Sequence, residues 1–550
     1  MYPYMSYVDA VYDKSTDQVL VVERNNGTRV FKNYPALYQF YYDDPKGKFR
    51  TIYDTPVSKV VCRTNKEFQK EKRVYNDRTL WESDIDPVSH CLEKEYLHKP
   101  MPILHTAFID IESGFDYERG FAPTEDPFNS ITAATVYLDW LDRLVTVAVP
   151  PKCLTIEEAQ ELIEDIEDTF LVEDDAQLLN AILDLIEDAD IISGWNSSGY
   201  DLPYIVNRTV KILSKDDTRR LCLWGQYPKP REFNKFGKIV NTYDLIGRIH
   251  LDYMELYQKF TLEERHSYSL DSISEYELQE HKTPYNGTLD QLYNRDFRKF
   301  IEYNRQDVGL LGRLDKKLRF IDLANTIAHS VGVLIPAAKG TVAITDHGII
   351  NQAHAMGLVV HDRKKPRSEA EIEEADENDG KIPGGYVADP RTGLHEWIGG
   401  VDINSLYPSV FRCLNMSPET LIGQIRCPKT EQMIQERINA KHSFSEAWEG
   451  EFGCLEYTAV VNRDAAMMLT VDWENGSSTE LSAAELWEII WAENRPWVLT
   501  ANGTIFTVEK QGLIPQVLAA WYADRKVQQG KKKMADEMIS GIKLPERFLV

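Results

Sequence analysis

A short apolar segment that ends in one acid most constrains this chain. Residues 399–409 read Gly-Gly-Val-Asp-Ile-Asn-Ser-Leu-Tyr-Pro-Ser. Val401 and Ile403 flank Asp402, which predicts a short buried strand, and the serine and proline that follow predict a sharp turn. A carboxylate at such a strand end is a suitable ligand for a hard divalent ion such as Mg²⁺. An ordinary strand–turn–helix junction would explain a lone aspartate equally well.

Length and composition predict several packed domains. A chain of 550 residues is too long for one hydrophobic core, and 43% apolar residues suffice for three or four. The net charge of −25 argues against nonspecific nucleic-acid binding but does not exclude a basic groove. The seven cysteines form no C-x-x-C pair, so we expect neither a zinc site nor a disulfide framework, and a reducing compartment fits best. The sequence shows no signal-peptide pattern and no membrane-length apolar run, which predicts no membrane association.

A second acidic feature lies on a predicted strand, residues 104–112. Asp110 and Glu112 are two positions apart, so both carboxylates point to one face, while Ile109 and Ile111 point into a core. Two like charges this close repel each other unless a cation lies between them. A D-x-E pair alone is weak evidence, since exposed strands often carry one.

Further acids follow along the chain. Asp201 comes after a strand and a polar loop, just before a helix; alone, it would be expected only to cap that helix. Tyr303 and Asp307 are four residues apart on a predicted helix and therefore share one face. With Asp110 and Glu112 they make a set of four carboxylates and one tyrosine. Such a set can hold two divalent metals roughly 4 Å apart, with the Tyr303 hydroxyl placed to orient an attacking water.

The order and spacing of these residues carry a family resemblance. Asp110-Ile111-Glu112, then Asn196 onward to Tyr200-Asp201, then Tyr303 to Asp307 resemble the 3′–5′ exonuclease motifs of proofreading polymerases. The middle motif departs slightly, because Asn196 lies four residues before Tyr200. The resemblance implies an RNase H-like domain that uses two Mg²⁺ or Mn²⁺ ions on single-stranded 3′ ends. One ion would generate hydroxide from water, and the other would stabilise the leaving 3′-oxygen.

The segment around Asp402 resembles the D-x-x-S-L-Y-P-S motif of family B DNA polymerases. By that resemblance Asp402 binds both catalytic metals of the polymerase site. The backbone at Ser405 and Leu406 cradles the triphosphate of a dNTP. Tyr407 packs against the sugar and excludes a ribose 2′-hydroxyl.

Downstream stretches are similar to the T-even-like bacteriophage branch of that family, notably 415–420 and 502–515. A long helix follows, and the resemblance implies that its Arg525 grips the incoming triphosphate, since a guanidinium forks onto phosphate. Gln529 occupies the place of the next family lysine, so Lys531 is expected to substitute. The apolar positions from Leu513 to Trp521 are expected to form an exposed stripe without a packing partner.

The resemblance implies a multidomain α/β fold. We expect a mixed α/β N-terminal domain, an RNase H-like 3′–5′ exonuclease domain, a return to the N-terminal domain with a linker, a partial palm, and the first fingers helix. Their predicted boundaries are 1–103, 104–330, 331–395, 396–512 and 513–550.

The family's K-x₃-N-S-x-Y-G and D-T-D-S strings do not occur in the sequence. We therefore expect an amino-terminal portion of a replicative polymerase, from a split gene or a truncation, that copies DNA only with a C-terminal polymerase chain. Expected partners are primer-template DNA, single-stranded 3′ ends, dNTPs and possible replisome proteins such as a sliding clamp, in the cytoplasm of an infected bacterial host. Two alternatives stay open: a stand-alone exonuclease with a vestigial polymerase portion, and a non-enzymatic DNA-binding subunit.

Three other stretches allow more than one interpretation. Residues 227–238 interleave basic and aromatic side chains, typical either of a phosphate-contacting segment or of a solvated hairpin. Residues 368–380 are acidic and poor in apolar side chains, which favours a loop. Residues 383–386 are similar to a family B element between the two active sites, or form an ordinary turn.

Overall fold

The structure, a computed structural model, describes residues 5–235, 238–363, 391–448 and 450–541. Its strands are β1 Met5–Asp13, β2 Gln18–Asn25, β3 Thr28–Pro35, β4 Tyr38–Asp43, β5 Phe49–Thr51, β6 Pro56–Cys62, β7 Leu80–Trp81, β8 Thr106–Ser113, β9 Ile131–Leu138, β10 Arg143–Ala148, β11 Thr169–Leu171, β12 Ile191–Gly194, β13 Lys229–Lys235, β14 Lys238–Asp244, β15 Ile249–Asp252, β16 Leu358–Val359, β17 Leu421–Ile425, β18 Met468–Trp473, β19 Ser478–Ser482, β20 Trp497–Leu499 and β21 Thr504–Thr507.

The α-helices alternate with these strands. They are α1 Asn65–Val74, α2 Pro87–Tyr96, α3 Ile156–Leu162, α4 Asp175–Leu185, α5 Asp201–Ile212, α6 Tyr253–Phe260, α7 Leu270–Leu278, α8 Leu289–Arg295, α9 Phe297–Leu318, α10 Phe320–Val331, α11 Thr341–Ala355, α12 Leu406–Cys413, α13 Pro428–Asn439, α14 Phe444–Ala447, α15 Leu455–Val461, α16 Ala483–Trp487 and α17 Leu513–Gly541. None of the helices in the described ranges is both long and apolar enough to cross a membrane. The mixed helices and sheets confirm the predicted multidomain α/β class.

The chain forms two compact units. The first unit contains residues 1–42 and 59–347, and the second contains 43–58 and 348–550. The five-part division drawn from the sequence is finer than this and stays a prediction. The acidic stretch 368–380 and residues 383–386 lie outside the described residues, so both interpretations of them also stay predictions.

A six-stranded sheet organises the first unit, in the order β11-β10-β9-β8-β12-β15. Strand β8 pairs in parallel with β12 and antiparallel with β9. Its side chains alternate between two cores, so Ile109 and Ile111 pack with α4 and α5, whereas Phe108 faces the core that includes α9 and α10. The sheet is thus covered by helices on both faces.

Helix α9 lies unusually close to this sheet. At Gly312, a Cβ atom would come 2.9 Å from Cδ1 of Tyr137 on β9, a separation that real side chains do not tolerate. Glycine therefore allows the close approach at this point of the helix. The rest of its buried face, including Phe300, Val308 and Leu311, supplies the apolar contacts that hold the helix there.

The N-terminal strands β1, β2 and β3 form an antiparallel sheet. Polar contacts hold this sheet against the rest of the first unit. Arg24, 1% exposed, donates to both carboxylate oxygens of Asp190 at 2.6 and 2.8 Å and to Asp188 at 2.9 Å. Tyr7 donates to the carbonyl of Val333 at 2.6 Å. A buried guanidinium needs this many acceptors to offset its lost hydration.

The predicted hairpin in residues 227–238 is present, because β13 pairs antiparallel with β14 through seven residues. Arg231 forms an ion pair with Asp244 across it at 2.9 Å. Whether these basic side chains contact phosphate stays a prediction.

The second unit contains a five-stranded sheet in the order β19-β18-β17-β21-β20. The expectation of an exposed stripe on α17 is wrong at its start. Leu513 is only 3% exposed and packs with Ile52, Ala353 and Val360, and Val517 is also buried. Trp521, at 39% exposure, is the part of that stripe that stays open.

Candidate functional site

Three elements of the first unit position the predicted nuclease residues. Strand β8 carries Asp110 and Glu112 on the face toward α9, which presents Tyr303 and Asp307 one turn apart. One carboxylate oxygen each from Asp110, Glu112 and Asp307 lie within 4.8 Å of one another. The structure therefore brings together acids that are almost 200 positions apart in the sequence.

Asp201 joins this group from α5. It is the first residue of that helix, whose N-cap is Tyr200, and it does not act as a side-chain cap. Instead its Oδ1 accepts a hydrogen bond from the backbone N–H of Ile111 at 3.1 Å. That bond ties Asp201 to the strand between the two β8 acids, so the cap-only interpretation is wrong.

Burial and mutual repulsion dominate the electrostatics of this site. Burial raises the pKa of Asp110 well above its usual range, and the charges of Asp201, Glu112 and Asp307 add to that rise. Burial likewise raises the pKa of Glu112 to about 8 and that of Asp201 to about 7. Burial also raises the pKa of Asp307, although the Lys282 ammonium opposes it. A positive charge close to these four acids would stabilise their ionised forms.

Lys282 supplies one such charge and was not among the site residues predicted from the sequence. Its Nζ lies 2.6 Å from Oδ2 of Asp307 and 3.3 Å from the hydroxyl of Tyr303. Burial lowers the pKa of Lys282, but the charges of Asp307, Tyr303 and Asp110 and the hydrogen bond to Asp307 together outweigh burial, and the net direction is upward. Its backbone N–H donates to Asp271 at 2.8 Å, which anchors the segment after α7. A single lysine in a loop has no spacing pattern, so nothing in the sequence indicated this role.

A chain of hydrogen bonds through α9, β9 and β10 supports Asp110. Asn304 donates from Nδ2 to Oδ2 of Asp110 at 2.8 Å and accepts at Oδ1 from the Thr135 hydroxyl at 2.5 Å. The Thr135 hydroxyl in turn lies 2.9 Å from that of Thr146, which accepts from Arg305 at 2.9 Å. Because Thr135 uses its hydrogen on Asn304, the Thr146 hydroxyl must donate to it. The direction of every bond in the chain is thereby fixed, and Asn304 is held with its amide toward Asp110.

The residues present fit divalent cations. Oδ1 of Asp307 is buried and has no hydrogen-bond partner among the described residues, an arrangement that is unfavourable without a further positive group. The atoms available to bind a metal are all carboxylate oxygens, the ligands that Mg²⁺ and Mn²⁺ prefer. Asp110, Glu112, Asp201 and Asp307 are the residues that would hold such ions.

The predicted polymerase residues lie in the second unit in a different setting. Residues 401–403 form no strand, and Val401 and Ile403 are 98% and 61% exposed, so the predicted buried strand is wrong. A strand needs a neighbour for its backbone N–H and C=O groups, and none of the described strands pairs with this segment. Asp402 is accordingly exposed.

The turn after Asp402 is present as predicted. Ser405 adopts a left-handed φ of 54° and α12 begins at Leu406. Nη1 of Arg525 on α17 donates to the Ser405 hydroxyl at 2.9 Å, so two predicted triphosphate contacts lie side by side. Tyr407 is 71% exposed, and Lys531 is exposed further along α17.

The sequence matches known proteins over most of its length. Residues 33–273 match the exonuclease domain of DNA polymerase family B, and residues 343–541 match DNA polymerase family B. The chain is 30% identical over 244 residues to the DNA-directed DNA polymerase of Enterobacteria phage T4, a match that covers 44% of this chain and 26% of that protein. It is 30% identical over 243 residues to the DNA-directed DNA polymerase of Escherichia phage RB69, covering 43% of this chain and 25% of that protein. A third relative, DNA polymerase II of Escherichia coli, is 24% identical over 414 residues, which is 71% of this chain and 49% of that enzyme. The matched part thus spans half or less of each of these relatives.

Proposed function

Because the chain belongs to the family B DNA polymerases, with their exonuclease domain, we propose that its first unit hydrolyses the terminal phosphodiester at single-stranded 3′ ends of DNA. The observation that supports this best is the convergence of carboxylate oxygens of Asp110, Glu112 and Asp307 within 4.8 Å of one another. Oδ1 of Asp307 is in addition buried and has no hydrogen-bond partner in the described part of the chain. We also propose that the chain belongs to the T-even-like phage branch of the family. Its reaction is proposed to take place in the cytoplasm of an infected bacterium.

The residues of the site divide into those that would bind metal and those that orient the attacking water. Asp110, Glu112, Asp201 and Asp307 would hold two Mg²⁺ or Mn²⁺ ions, and such ions would supply acidification of a water and neutralisation of charge on the phosphate and the leaving 3′-oxygen. The Tyr303 hydroxyl orients the water, and burial holds its pKa above the usual range, so it stays protonated at neutral pH. Lys282 contacts that hydroxyl and Asp307, and thereby fixes both relative to the water.

The test is release of the terminal nucleotide from a 3′-labelled single-stranded oligonucleotide with Mg²⁺ or Mn²⁺. We expect Asp110→Ala and Asp201→Ala each to lower the rate by about 10³-fold or more, since each removes one metal ligand together with its negative charge. The matched control is Asp402→Ala, which removes an exposed carboxylate of the second unit and is expected to leave hydrolysis unchanged. Full activity of both nuclease variants, with folding verified by circular dichroism, would contradict the assignment.

We propose a second activity for the second unit, binding of a deoxynucleoside triphosphate and its addition to a DNA primer at Asp402. The contact between Arg525 and the Ser405 hydroxyl supports it, because a guanidinium beside the turn that begins a helix is suited to a triphosphate. Tyr407 would stack on the sugar, and Lys531 would add positive charge. Asp402 is the one palm carboxylate that the resemblance identifies in these 550 residues, so addition is expected to require a further polypeptide with a second one.

Primer extension separates this proposal from a nuclease with a vestigial polymerase portion or a non-enzymatic DNA-binding subunit. The chain is incubated with primer-template and dNTPs, alone and with a candidate C-terminal polymerase chain. We expect extension only in the mixture, and its loss with Asp402→Ala. Robust extension by the chain alone would refute the requirement for a second polypeptide, and no extension in either case would favour the stand-alone nuclease. A sliding clamp is a further proposed partner, and its addition is expected to lengthen the products of the active mixture.

A further inference from the structure

Two cysteines and a glutamate converge in the second unit, away from the residues discussed so far. Cys427 follows β17 and is the N-cap of α13, and Cys454 is the N-cap of α15, which carries Glu456 in its first turn. One ligand atom from each of the three residues lies within 4.8 Å of the others. The lack of a C-x-x-C pair in the sequence predicted no zinc site, but here the two thiols come from positions 27 residues apart.

The hydrogen bonds of Glu456 hold its carboxylate in one orientation. Oε1 accepts from the backbone N–H groups of Lys429 and Thr430 at 2.8 and 3.3 Å, and Oε2 accepts from the Thr430 hydroxyl. These donors all belong to the first turn of α13, so the helix N-terminus already favours negative charge at this point. A carboxylate oxygen can accept more than one bond, and ligating carboxylates are commonly fixed by such outer contacts.

The sulfur atoms are similarly placed. Cys454 is 3% exposed, and its Sγ accepts the backbone N–H of Tyr457 at 3.3 Å, a bond that suits a thiolate. The Cys427 thiol hydrogen-bonds to Cys454 and has longer contacts to the carbonyls of Ile425 at 3.5 Å and Asn502 at 3.9 Å. The two sulfur atoms are therefore already in contact, and a metal bound between them would take the place of the thiol hydrogen.

A cleft of about 640 Å³ opens beside this cluster and is lined by both Cys427 and Glu456. It gives water access to the cluster from one side. Three protein ligands with an open fourth position are the arrangement of tetrahedral zinc sites that keep one water.

We propose that Cys427, Cys454 and Glu456 form a binding site for a soft divalent cation of the zinc class, with water from the cleft as fourth ligand. Two thiolates and one carboxylate around a divalent ion give a net charge of −1, which the N-terminus of α13 stabilises. Thiolate ligands select such a cation against Mg²⁺ and Mn²⁺, so the site is chemically distinct from the all-carboxylate cluster of the first unit.

The test uses Co²⁺ as a spectroscopic probe of the full chain, reduced and freed of metal, in excess Mg²⁺ to saturate carboxylate sites. We expect one equivalent of Co²⁺ to produce a thiolate-to-cobalt charge-transfer band in the near ultraviolet, and Zn²⁺ to abolish it by competition. Absence of the band in the unmodified protein overturns the proposal without any variant.

Variants then assign the ligands. Cys427→Ser and Cys454→Ser are each expected to remove the band, whereas Cys153→Ser, at an exposed cysteine of the first unit, is expected to retain it. Glu456→Gln keeps an acceptor for the α13 N-terminus and both thiolates, so it is expected to retain the band with about 10- to 100-fold weaker binding. A band that survives in the double cysteine variant would place the metal elsewhere and refute the site. Because Asp110→Ala is expected to leave the band intact, this result is independent of the nuclease proposal.

Discussion

The two predicted active sites in this chain are built in opposite ways. In the first unit each acid lies on a regular element and most have a defined partner: Asn304 for Asp110, the Ile111 N–H for Asp201, and Lys282 for Asp307. In the second unit Asp402 lies in an exposed segment with no regular structure, and only the following turn is tied to a helix. The difference teaches that a carboxylate is held in place when neighbouring elements supply its hydrogen bonds and ion pairs, and that a motif in the sequence does not guarantee this.

The contact between Lys282 and Asp307 gives the largest expected effect on this comparison. We expect Lys282→Met to lower nuclease activity by about 10²-fold or more, because it removes the charge that positions Asp307 and the Tyr303 hydroxyl. The measurement is the single-turnover rate at saturating Mn²⁺. Lys316→Met is the matched control, since Lys316 also pairs with an aspartate, Asp142 at 2.8 Å, but on the surface. Equal losses in the two variants would show that the buried lysine has no special role.

One buried and one exposed ion pair allow the two units to be compared by the loss of stability when each pair is broken. We expect Arg24→Met to destabilise the first unit by about 3–5 kcal/mol, because it removes the closest cation from buried Asp190 and leaves Arg29 at 3.6 Å as its ion-pair partner. Arg426→Met breaks a two-pronged pair with Asp472 that is largely exposed, and is expected to destabilise the second unit far less, because water screens the two charges. Native-state hydrogen exchange of the two sheets measures both values. A loss for Arg24→Met no larger than that for Arg426→Met would remove the distinction between the units.

The hydrogen-bond chain behind Asp110 is expected to have an intermediate effect. Asn304→Ala should raise the Mn²⁺ concentration for half-maximal nuclease activity by about 10- to 100-fold, with substrate KM unchanged, since Asp110 loses the donor that orients it. Thr135→Val keeps Asn304 but removes the bond that fixes its amide, so a smaller rise is expected. Asn294→Ala, which removes a surface amide bonded to the Asp290 carbonyl, serves as the control. A metal dependence that is the same in all three variants would argue against any role of the chain in metal binding.

Acid sensitivity gives the smallest predicted effect. Burial lowers the pKa of His250 from 6.5 to about 3, with Lys339 adding to the shift, and its ring nitrogen hydrogen-bonds Ser197 at 2.9 Å. The unfolded chain takes up a proton below about pH 6.5 while the folded chain does not, so stability is full near pH 7 and falls as the pH drops toward 3. Between pH 7 and 5 we expect the unfolding free energy of the first unit to fall by about 2 kcal/mol more in the parent than in His250→Gln.

Urea denaturation at the two pH values measures that difference. His266→Gln, at an exposed histidine, is the control and is expected to follow the parent. If His250→Gln loses as much stability as the parent over this range, the buried ring does not remain neutral in the folded state.

Local patterns predicted the first unit well and the second less well. Alternation placed Asp110 and Glu112 on one face of β8, and helical spacing placed Tyr303 above Asp307, because both depend only on the geometry of one element. Lys282 and Asn304 could not be found in this way, since their roles arise from contacts between elements far apart in sequence. The strand predicted at Val401–Ile403 failed for the converse reason: its apolar pattern was correct, but a strand also requires a neighbour to pair with.

The same limit explains why the two thiols at 427 and 454 were missed. Metal-binding cysteines are recognised by short spacing, and here the chain between them forms α13 and α14 before it returns. The proximity of these cysteines is a property of the fold of the second unit and has no signature in the sequence.

The close approach at Gly312 extends the nuclease site beyond residues with reactive groups. Helix α9 is continuous from Phe297 to Leu318, and its distance from β9 at that glycine sets the height of Asp307 and Tyr303, five and nine residues earlier, above the β8 acids. A single added methyl group at Gly312 would push this part of α9 away from β9 and tilt the helix. A substitution at Gly312, a position with no chemistry of its own, is therefore expected to weaken the proposed nuclease activity from a distance.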